Sequence, residues 1–174
     1  SISGTTFTSN SSTDDGGAIY LIGGTTTITG ATFTGNTGND IAGAIRIDAD
    51  NTSISNTTFS NNTSNAVNTP AGVGGGAIFI NETADTTTIT LSTFNGNTTS
   101  RATTSRGGAI YNEGTNVVVA NSTFTGNTAI ETVAGAAGDV AQGGAIFQDD
   151  TGPDPSLTLY NVTLSGNSTT VTGL

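Results

Sequence analysis

The chain has 174 residues, a formal net charge of −10 and no Cys, Met, Trp or His, and its three basic residues are all arginines. Phosphate binding requires clustered Lys and Arg, so this charge balance argues against nucleic acid as a partner, and an anionic membrane would repel the chain as well. No apolar stretch approaches about 18 residues, which excludes a membrane-spanning helix from the sequence.

Two short phrases alternate from the beginning of the chain to its end. Gly-Gly-Ala-Ile occurs at Gly16–Ile19, Gly75–Ile78, Gly107–Ile110 and Gly143–Ile146, with a near copy at Ala42–Ile45. Between these copies runs a second phrase, Phe-x-x-Asn, whose last copy begins with Leu164 in place of Phe. Self-similarity at a spacing of a few tens of residues is the signature of a solenoid, in which each repeat packs on its neighbours.

Each repeat contains three apolar positions set among small polar residues. The Ile of Gly-Gly-Ala-Ile comes first, an Ile, Val or Leu comes second, and the Phe follows five residues after the second. Alternation such as Thr27-Ile28-Thr29 indicates strands with one buried face. We therefore predict three short strands per repeat and an all-β fold, a right-handed three-sided parallel β-helix of about five and a half coils.

Two columns of identical residues are expected to run along this helix. The predicted core stack consists of Phe7, Phe33, Phe59, Phe94, Phe124 and Leu164. The predicted structural ladder consists of Asn10, Asn36, Asn62, Asn97, Asn127 and Asn167. Asn tolerates a left-handed backbone at a tight corner, and stacked amides can bond to one another along the axis. We therefore interpret these asparagines as structural and not as ligand-binding residues.

The spacing between repeats indicates where the helix tolerates insertions. Successive Phe residues are 26 residues apart at first and then 35 and 30 apart, and most of the added length follows Phe-x-x-Asn. We predict a single domain over residues 1–174, with insertions at 63–74, 98–106 and 128–142 that all leave the same corner. A solenoid accepts such insertions because its stacked strands stay in register.

Few residues could carry catalysis or bind a metal. Arg46 is close to Asp48 and Asp50, whereas Arg101 and Arg106 fall in a predicted insertion. Enzymes that degrade acidic polysaccharides also use β-helices, so a polysaccharide-binding or -degrading enzyme is one alternative, with Arg46 as its test residue. Recurring acids after the first strand could attract Ca²⁺, but they lack a known ligand spacing and read as solvated turn residues. We predict no catalytic residue, no cofactor and no metal site.

The outward residues raise two further hypotheses. Thr-x-Thr pairs flank most copies of the Phe, and a flat array of this kind resembles the faces of ice-binding solenoids, although Thr is also a good exposed strand residue. A second outward column contains Tyr20, Arg46, Phe79, Tyr111 and Phe147, which we expect either to be covered by corner loops or to contact a sugar or protein.

Ten Asn-x-Ser/Thr sequons are spread along the repeats. In a glycosylating host these asparagines would be surface acceptors. The sequons begin at Asn10, Asn51, Asn56, Asn61, Asn62, Asn81, Asn97, Asn121, Asn161 and Asn167.

The pairing of Gly-Gly-Ala-Ile with Phe-x-x-Asn resembles the repeats of the chlamydial polymorphic outer-membrane proteins and of related bacterial and archaeal surface proteins. The resemblance covers the whole chain, and it implies a β-helix displayed outside the cell or on its surface, with adhesion as the usual role. We therefore predict a non-enzymatic structural or adhesive module. Its expected partners are a second copy of the chain, or a protein or glycan on a host or neighbouring cell.

The two ends suggest a route to self-assembly. Ile2 and Phe7 supply the second and third strands of a coil whose first strand is missing, and the tail from Val171 to Leu174 falls where a new first strand should begin. Exposed strand edges recruit other strands. We therefore predict that chains either stack head to tail into a filament or are capped by longer flanking sequence.

Overall fold

A computed structural model of the chain describes residues 1–65, 74–102, 104–132, 140–150 and 154–172. These residues form short β-strands joined by tight corners and contain no helix, so they include no helical segment able to cross a membrane. Every strand pairing among them is parallel. The predicted all-β parallel β-helix is therefore confirmed.

The strands are short because a corner follows every two to five residues. In chain order they are β1 (Ile2–Ser3), β2 (Thr6–Thr8), β3 (Ser11–Ser12), β4 (Ile19–Ile22), β5 (Thr25–Thr29), β6 (Thr32–Thr34), β7 (Thr37–Gly38), β8 (Ile45–Asp48), β9 (Asn51–Ser55), β10 (Thr58–Ser60), β11 (Thr63–Ser64), β12 (Ile78–Ile80), β13 (Thr86–Thr90), β14 (Thr93–Asn95), β15 (Thr98–Arg101), β16 (Thr104–Arg106), β17 (Ile110–Asn112), β18 (Val117–Ala120), β19 (Thr123–Thr125), β20 (Thr128–Glu131), β21 (Val140–Gln142), β22 (Ile146–Gln148), β23 (Leu157–Tyr160), β24 (Thr163–Ser165) and β25 (Ser168–Val171).

These strands stack into four long sheets, which we number in the order in which the chain passes through them after Gly-Gly-Ala-Ile. Sheet 1 contains β4, β8, β12, β17 and β22, and sheet 2 contains β1, β5, β9, β13, β18 and β23. Sheet 3 contains β2, β6, β10, β14, β19 and β24, and sheet 4 contains β3, β7, β11, β15, β20 and β25. Strands β16 and β21 form a separate parallel pair.

The number of strands per repeat is the main difference from the sequence prediction. We predicted three strands per repeat, but the structure has four, because the residues directly after each ladder Asn form sheet 4. The first of these strands are only two residues long and contain no large apolar side chain, so periodicity did not reveal them. The three-sided cross-section, the right-handed sense and the count of five and a half coils stay predictions.

The interior is built from residues that repeat in register. The five Ile residues of the Gly-Gly-Ala-Ile phrase pair along sheet 1. The Phe residues pair along sheet 3, and their rings stack at centroid distances of 4.5–4.9 Å with planes within 6° of parallel. Phe33, Phe59, Phe94 and Phe124 have no exposed surface, while Leu164 at the end of the stack is 49% exposed. Burying a stacked aromatic column supplies much of the apolar area that stabilises such a narrow fold.

The predicted corner insertions begin as regular structure. Residues 63–64, 98–101 and 128–131 belong to sheet 4 as β11, β15 and β20, and β16 and β21 lie later in the second and third segments. Residues 66–73, 103 and 133–139 lie outside the described residues. The first residues of these segments are therefore strands of sheet 4, and the bounds of the insertions stay predictions.

Candidate functional site

The asparagine ladder is a continuous column of amide hydrogen bonds. Each side-chain oxygen accepts from the backbone N–H and the Nδ2 of the Asn one coil earlier, as Asn62 Oδ1 does from Asn36 at 3.0 and 2.9 Å. The Nδ2 of Asn62 in turn donates to Asn97 Oδ1 and to the carbonyl oxygen of Phe33. Each inner side chain therefore joins three coils, and the amides have no group left to bind a ligand.

The left-handed residue at this corner is not the ladder Asn. Positive φ values fall on the preceding residue, which is Ser9, Gly35, Asn61, Gly96, Gly126 or Gly166 in successive coils. The left-handed backbone that we expected at the ladder Asn therefore belongs to the residue before it, and the hydrogen bonds of the amide alone explain the Asn.

A second, shorter ladder lies at the corner between sheets 2 and 3. The hydroxyl oxygen of Ser92 accepts from the backbone N–H of Thr57 at 3.3 Å, and that of Ser122 accepts from Ser92 at 3.1 Å. All three hydroxyls donate to a carbonyl oxygen two residues back. The recurring Thr or Ser two residues before Phe was the available signal, but it did not stand out in a chain so rich in hydroxyls.

Arg46, the test residue of the enzyme alternative, is held by two carboxylates. Its guanidinium donates to Asp48 at 2.9 Å and to Asp15 at 2.5 Å, and it lies between the rings of Tyr20 and Phe79. Burial raises the pKa of the Asp15 carboxyl above its ordinary 3.8, against the opposing effect of Arg46. Asp50, which we expected beside Arg46, instead accepts from the backbone N–H of Gly24.

Asp15 also belongs to the one acidic group among the described residues with a spacing that suits a metal. Asp14, Asp15 and Asp40 each place a carboxylate oxygen within 4.8 Å of the others. All three are at least partly exposed, and Arg46 already neutralises Asp15, so repulsion between them is reduced without an ion.

Arg101, which falls in a predicted insertion, is buried in a strand. It is the last residue of β15, only 3% exposed, opposite the buried Glu131 of β20. Its Nη2 donates to the carbonyl oxygen of Asp40 at 2.6 Å, and burial lowers its pKa to about 10. Arg101 thus ties sheet 4 to an earlier corner.

The outward aromatic column of sheet 1 is covered in its middle. Phe79 and Tyr111 are each 1% exposed and pack with Ala42, whereas Tyr20 is 43% exposed. The hydroxyl of Tyr111 donates to Asp149, and Arg106 lies 3.5 Å from the same carboxylate. This part of the column is therefore closed to a ligand.

The carboxyl group of Glu113, next to this column, is partly buried. Burial raises its pKa above the ordinary 4.5, and the charges of Asp149 and Glu82 add to that effect. The charges of Glu82, Glu113 and Asp149, which follow strands of sheet 1 in successive coils, thus influence one another.

The outward face of sheet 3 is a regular array of short polar side chains. Its first column contains Thr in every coil, namely Thr6, Thr32, Thr58, Thr93, Thr123 and Thr163. The stacked phenylalanines beneath it keep the strands evenly spaced. The ice-binding hypothesis rests on this array and stays a prediction, which thermal hysteresis would test.

Sheet 2 changes its outward chemistry along the axis. One outward column reads Thr29, Ser55, Thr90, Ala120 and Tyr160, and the neighbouring one reads Thr27, Ser53, Thr88, Val118 and Thr158. The hydroxyl pattern thus holds through β13 and is interrupted by apolar or aromatic residues on β18 and β23. Tyr160 is 69% exposed.

The corner after sheet 2 contains one residue that does not fit its column. The corner column has positive φ in all six coils and consists of Gly4, Gly30, Asn56, Leu91, Asn121 and Asn161. Gly and Asn accept this conformation readily, but a leucine there is strained. Leu91 has φ +51° and is 63% exposed, so neither backbone geometry nor burial accounts for it.

Some of the sequon asparagines are buried in the structure and others are exposed. Asn62 and Asn97 are fully buried in the ladder, so the folded chain offers no acceptor there. Asn56, Asn121 and Asn161 are exposed in the corner column.

The predicted assembly residues lie at the two ends of the solenoid. Ile2 and Phe7 are half-buried on β1 and β2. Val171 ends β25 and pairs with Glu131 in sheet 4, so it does not begin a new first strand as we expected. Leu174 lies outside the described residues.

Three segments of the chain, residues 4–21, 56–81 and 92–113, match the family described as the Chlamydia polymorphic membrane protein repeat. These three segments are similar to that repeat. Each matched segment contains one Phe-x-x-Asn and one Gly-Gly-Ala-Ile, so the resemblance rests on the two phrases that build the ladder and the core. This family consists of surface proteins and not of enzymes. No significant match is found among curated proteins or solved structures.

Proposed function

We propose that this chain is a non-enzymatic module displayed on the cell surface or outside the cell, where its outward faces mediate adhesion. The proposal rests on the difference between the side chains inside the solenoid and those on its outer faces. The large apolar side chains and the ladder asparagines stack inward in register, while outward positions differ between coils, among them those of sheet 2 and its corner. A scaffold of this kind holds a chosen set of side chains in a rigid, flat array.

The contacts of Arg46 and Arg106 support a non-enzymatic role. Arg46 is held by two carboxylates, and Arg106 lies near Asp149 and over the ring of Phe147. General acid–base catalysis requires positioned groups that can reach a substrate, and these contacts leave the arginines occupied. We therefore expect no depolymerisation of acidic polysaccharides, and activity abolished by Arg46→Ala would overturn the proposal.

Adhesion is tested directly with beads coated with the purified chain and presented to a panel of animal and bacterial cells. We expect attachment to at least one cell type above that of beads coated with an unrelated protein of equal charge. Soluble chain should compete for this attachment. Equal attachment of both kinds of bead to every cell type would contradict an adhesive role.

Self-assembly is a second candidate function, supported by the chemistry of the two solenoid ends. At one end Leu159 and Leu164 are 44% and 49% exposed. An open pocket of about 380 Å³ beside them is lined by Ala145, Ile146, Leu164 and Asn167. The other end presents Ile2, Phe7 and Asn10, which occupy the same positions of the repeat as Leu159, Leu164 and Asn167. A second copy could therefore continue the core and the ladder.

Electron microscopy and sedimentation of the chain as purified test this second candidate. Head-to-tail contacts are heterologous and do not close, so they predict filaments that lengthen with concentration. Leu164→Asp places a charge in the junction and should shorten them. Dispersed monomers at high concentration, unchanged by deletion of residues 171–174, would rule out filaments for this chain.

A further inference from the structure

We propose that the outward corner of sheet 2 in the last coils binds an uncharged oligosaccharide. The site, which we name the Tyr160 face, consists of Leu91, Ala120, Asn121, Tyr160 and Asn161. The inference rests on the proposed adhesive function and adds to it a location and a ligand class.

The aromatic ring supplies the apolar part of such a site. Tyr160 is 69% exposed at the end of β23 and follows Ala120 in its column, so a small side chain lies next to it on the preceding strand. An exposed ring on a flat sheet presents a π-face to the polarised C–H groups on one side of a sugar ring. Its hydroxyl group remains available for hydrogen bonding.

The two asparagines supply the polar part. Asn161 Nδ2 donates to Asn121 Oδ1 at 2.8 Å, and both residues are exposed in the corner column directly beside Tyr160. An amide has two donor hydrogens and an acceptor oxygen with two lone pairs, so this bond leaves groups of both kinds facing solvent. Sugar hydroxyls are both donors and acceptors and are complementary to such a pair.

The positive φ of the exposed Leu91 favours a binding role for this corner. In the corner column its backbone N–H donates to Ala120, and the N–H of Asn121 donates to Tyr160, so the three corner residues follow one another along the axis. The other five coils place Gly or Asn at this position, where φ is positive. A strained leucine that is mostly exposed gains little from packing, and strain retained in this way is typical of functional positions.

The charge of the molecule selects an uncharged ligand. The three arginines lie on β8, β15 and β16, which belong to sheet 1, sheet 4 and the separate strand pair. None lies on sheet 2 or its corner, and the chain carries a net charge of −10. Acidic glycans, phosphates and sulfates would therefore be repelled, whereas neutral sugars carry no such penalty.

Binding of defined oligosaccharides to the full chain tests the proposal. The probes are hexamers of β-linked glucose, N-acetylglucosamine and xylose and of α-linked mannose, with oligogalacturonate as the acidic control, measured by calorimetry or by saturation-transfer NMR. We expect at least one neutral hexamer to bind and oligogalacturonate not to bind. Tyr160→Ala should weaken that binding about tenfold, and Tyr160→Phe should keep most of it.

Ile22→Ala is the matched control, because Ile22 is an equally exposed apolar residue at 72% exposure on β4, remote from the Tyr160 face along the chain and in the stack of coils. This variant should bind as the parent does. Neutral binding that survives Tyr160→Ala would overturn the assignment of the site. Cell attachment that is lost in Tyr160→Ala without binding of any neutral hexamer would point to a protein ligand and overturn the glycan class. Absence of all cell attachment would instead count against the proposed function itself.

Discussion

The buried asparagine ladder and the exposed corner column run along the same axis and treat sequence variation in opposite ways. The ladder has the same residue in all six coils, and each inner Asn bonds to groups one coil away on either side. The corner column contains Gly, Asn and Leu, and its side chains face solvent at Asn56, Leu91 and Asn161.

The difference shows which constraint acts at each position. A ladder residue must serve as donor and acceptor for two neighbours at once, so a change in one coil leaves groups unsatisfied in others. A corner residue has only to accept a positive φ, so its side chain is free to change. The outward corners are therefore where coils can differ without loss of the fold.

The largest effect is expected at the second Gly of Gly-Gly-Ala-Ile. A Cβ on Gly76 would overlap the carbonyl oxygen of Gly108 and lie 2.6 Å from the backbone nitrogen of Thr98. Because both obstacles are backbone, we expect Gly76→Ala to lower the free energy of unfolding by more than about 4 kcal/mol or to prevent folding. Gly126→Ala is the control, because that Cβ meets open space and only the positive φ is unfavourable. Chemical denaturation of both variants measures the difference, and equal losses would contradict the close approach of coils.

A smaller loss is expected from a hole in the aromatic stack. Phe59 is fully buried between Phe33 and Phe94, at centroid distances of 4.9 and 4.8 Å. We expect Phe59→Ala to reduce stability by about 3–5 kcal/mol, through lost apolar contact and an unfilled cavity. Leu164→Ala, at the exposed end of the same stack, should lose about 1 kcal/mol. Denaturation curves that gave less than about 1 kcal/mol for Phe59→Ala would show that the ring is not in the core.

The next largest loss of stability is expected when the asparagine ladder is interrupted. Asn62→Ala removes the acceptor used by two groups of Asn36 and the donor used by Phe33 and Asn97. The buried groups left without partners should reduce stability by about 2–4 kcal/mol. Asn56→Ala, at the exposed corner of the same coil, should reduce it by only about 1 kcal/mol, because alanine accepts the positive φ less easily than asparagine. Similar losses in the two variants, measured by denaturation, would remove the distinction between ladder and corner.

The sequence predicted the ladder and the core well because these constraints repeat. Within each repeat the Asn follows the Phe by three residues, as Asn62 follows Phe59, even where the spacing between repeats changes, and a stacked fold explains this constant offset directly. The burial of Arg101 could not be read from one chain, since it depends on a contact with Asp40, 61 residues away. The sequence did not predict the strain at Leu91, because the residues of the corner column share a positive φ and not a residue type.

The carboxyl group of Glu113 makes the stability of the fold depend on pH. Burial raises the pKa of Glu113 above 4.5 in the folded chain, so the folded state binds this proton more tightly than the unfolded state. The stability that results is fully present below pH 4.5 and is lost as pH rises through the folded pKa. Glu113→Gln should therefore be more stable than the parent at pH 7, with the difference vanishing at about pH 4. Thermal melting across pH 4–7 measures this, and a parent advantage at pH 7 would contradict it.

The smallest expected effect is again a gain in stability and not a loss. Leu91→Asn introduces the residue that the next coil has at this corner, and Asn adopts a positive φ more easily than Leu. Since the leucine is mostly exposed, little packing is lost. We expect a gain of about 1 kcal/mol in the free energy of unfolding. Leu91→Ala, which keeps the strain and removes most of the side chain, should show no such gain in a denaturation experiment.

The most direct test of the division between scaffold and outward face is to measure stability and attachment together in Leu91→Asn. If the strained leucine is kept for binding, this variant melts at a higher temperature than the parent, while beads coated with it attach to cells more weakly. A variant that is more stable and attaches as well as the parent would show that Leu91 has no part in adhesion and would contradict the functional reading of this corner.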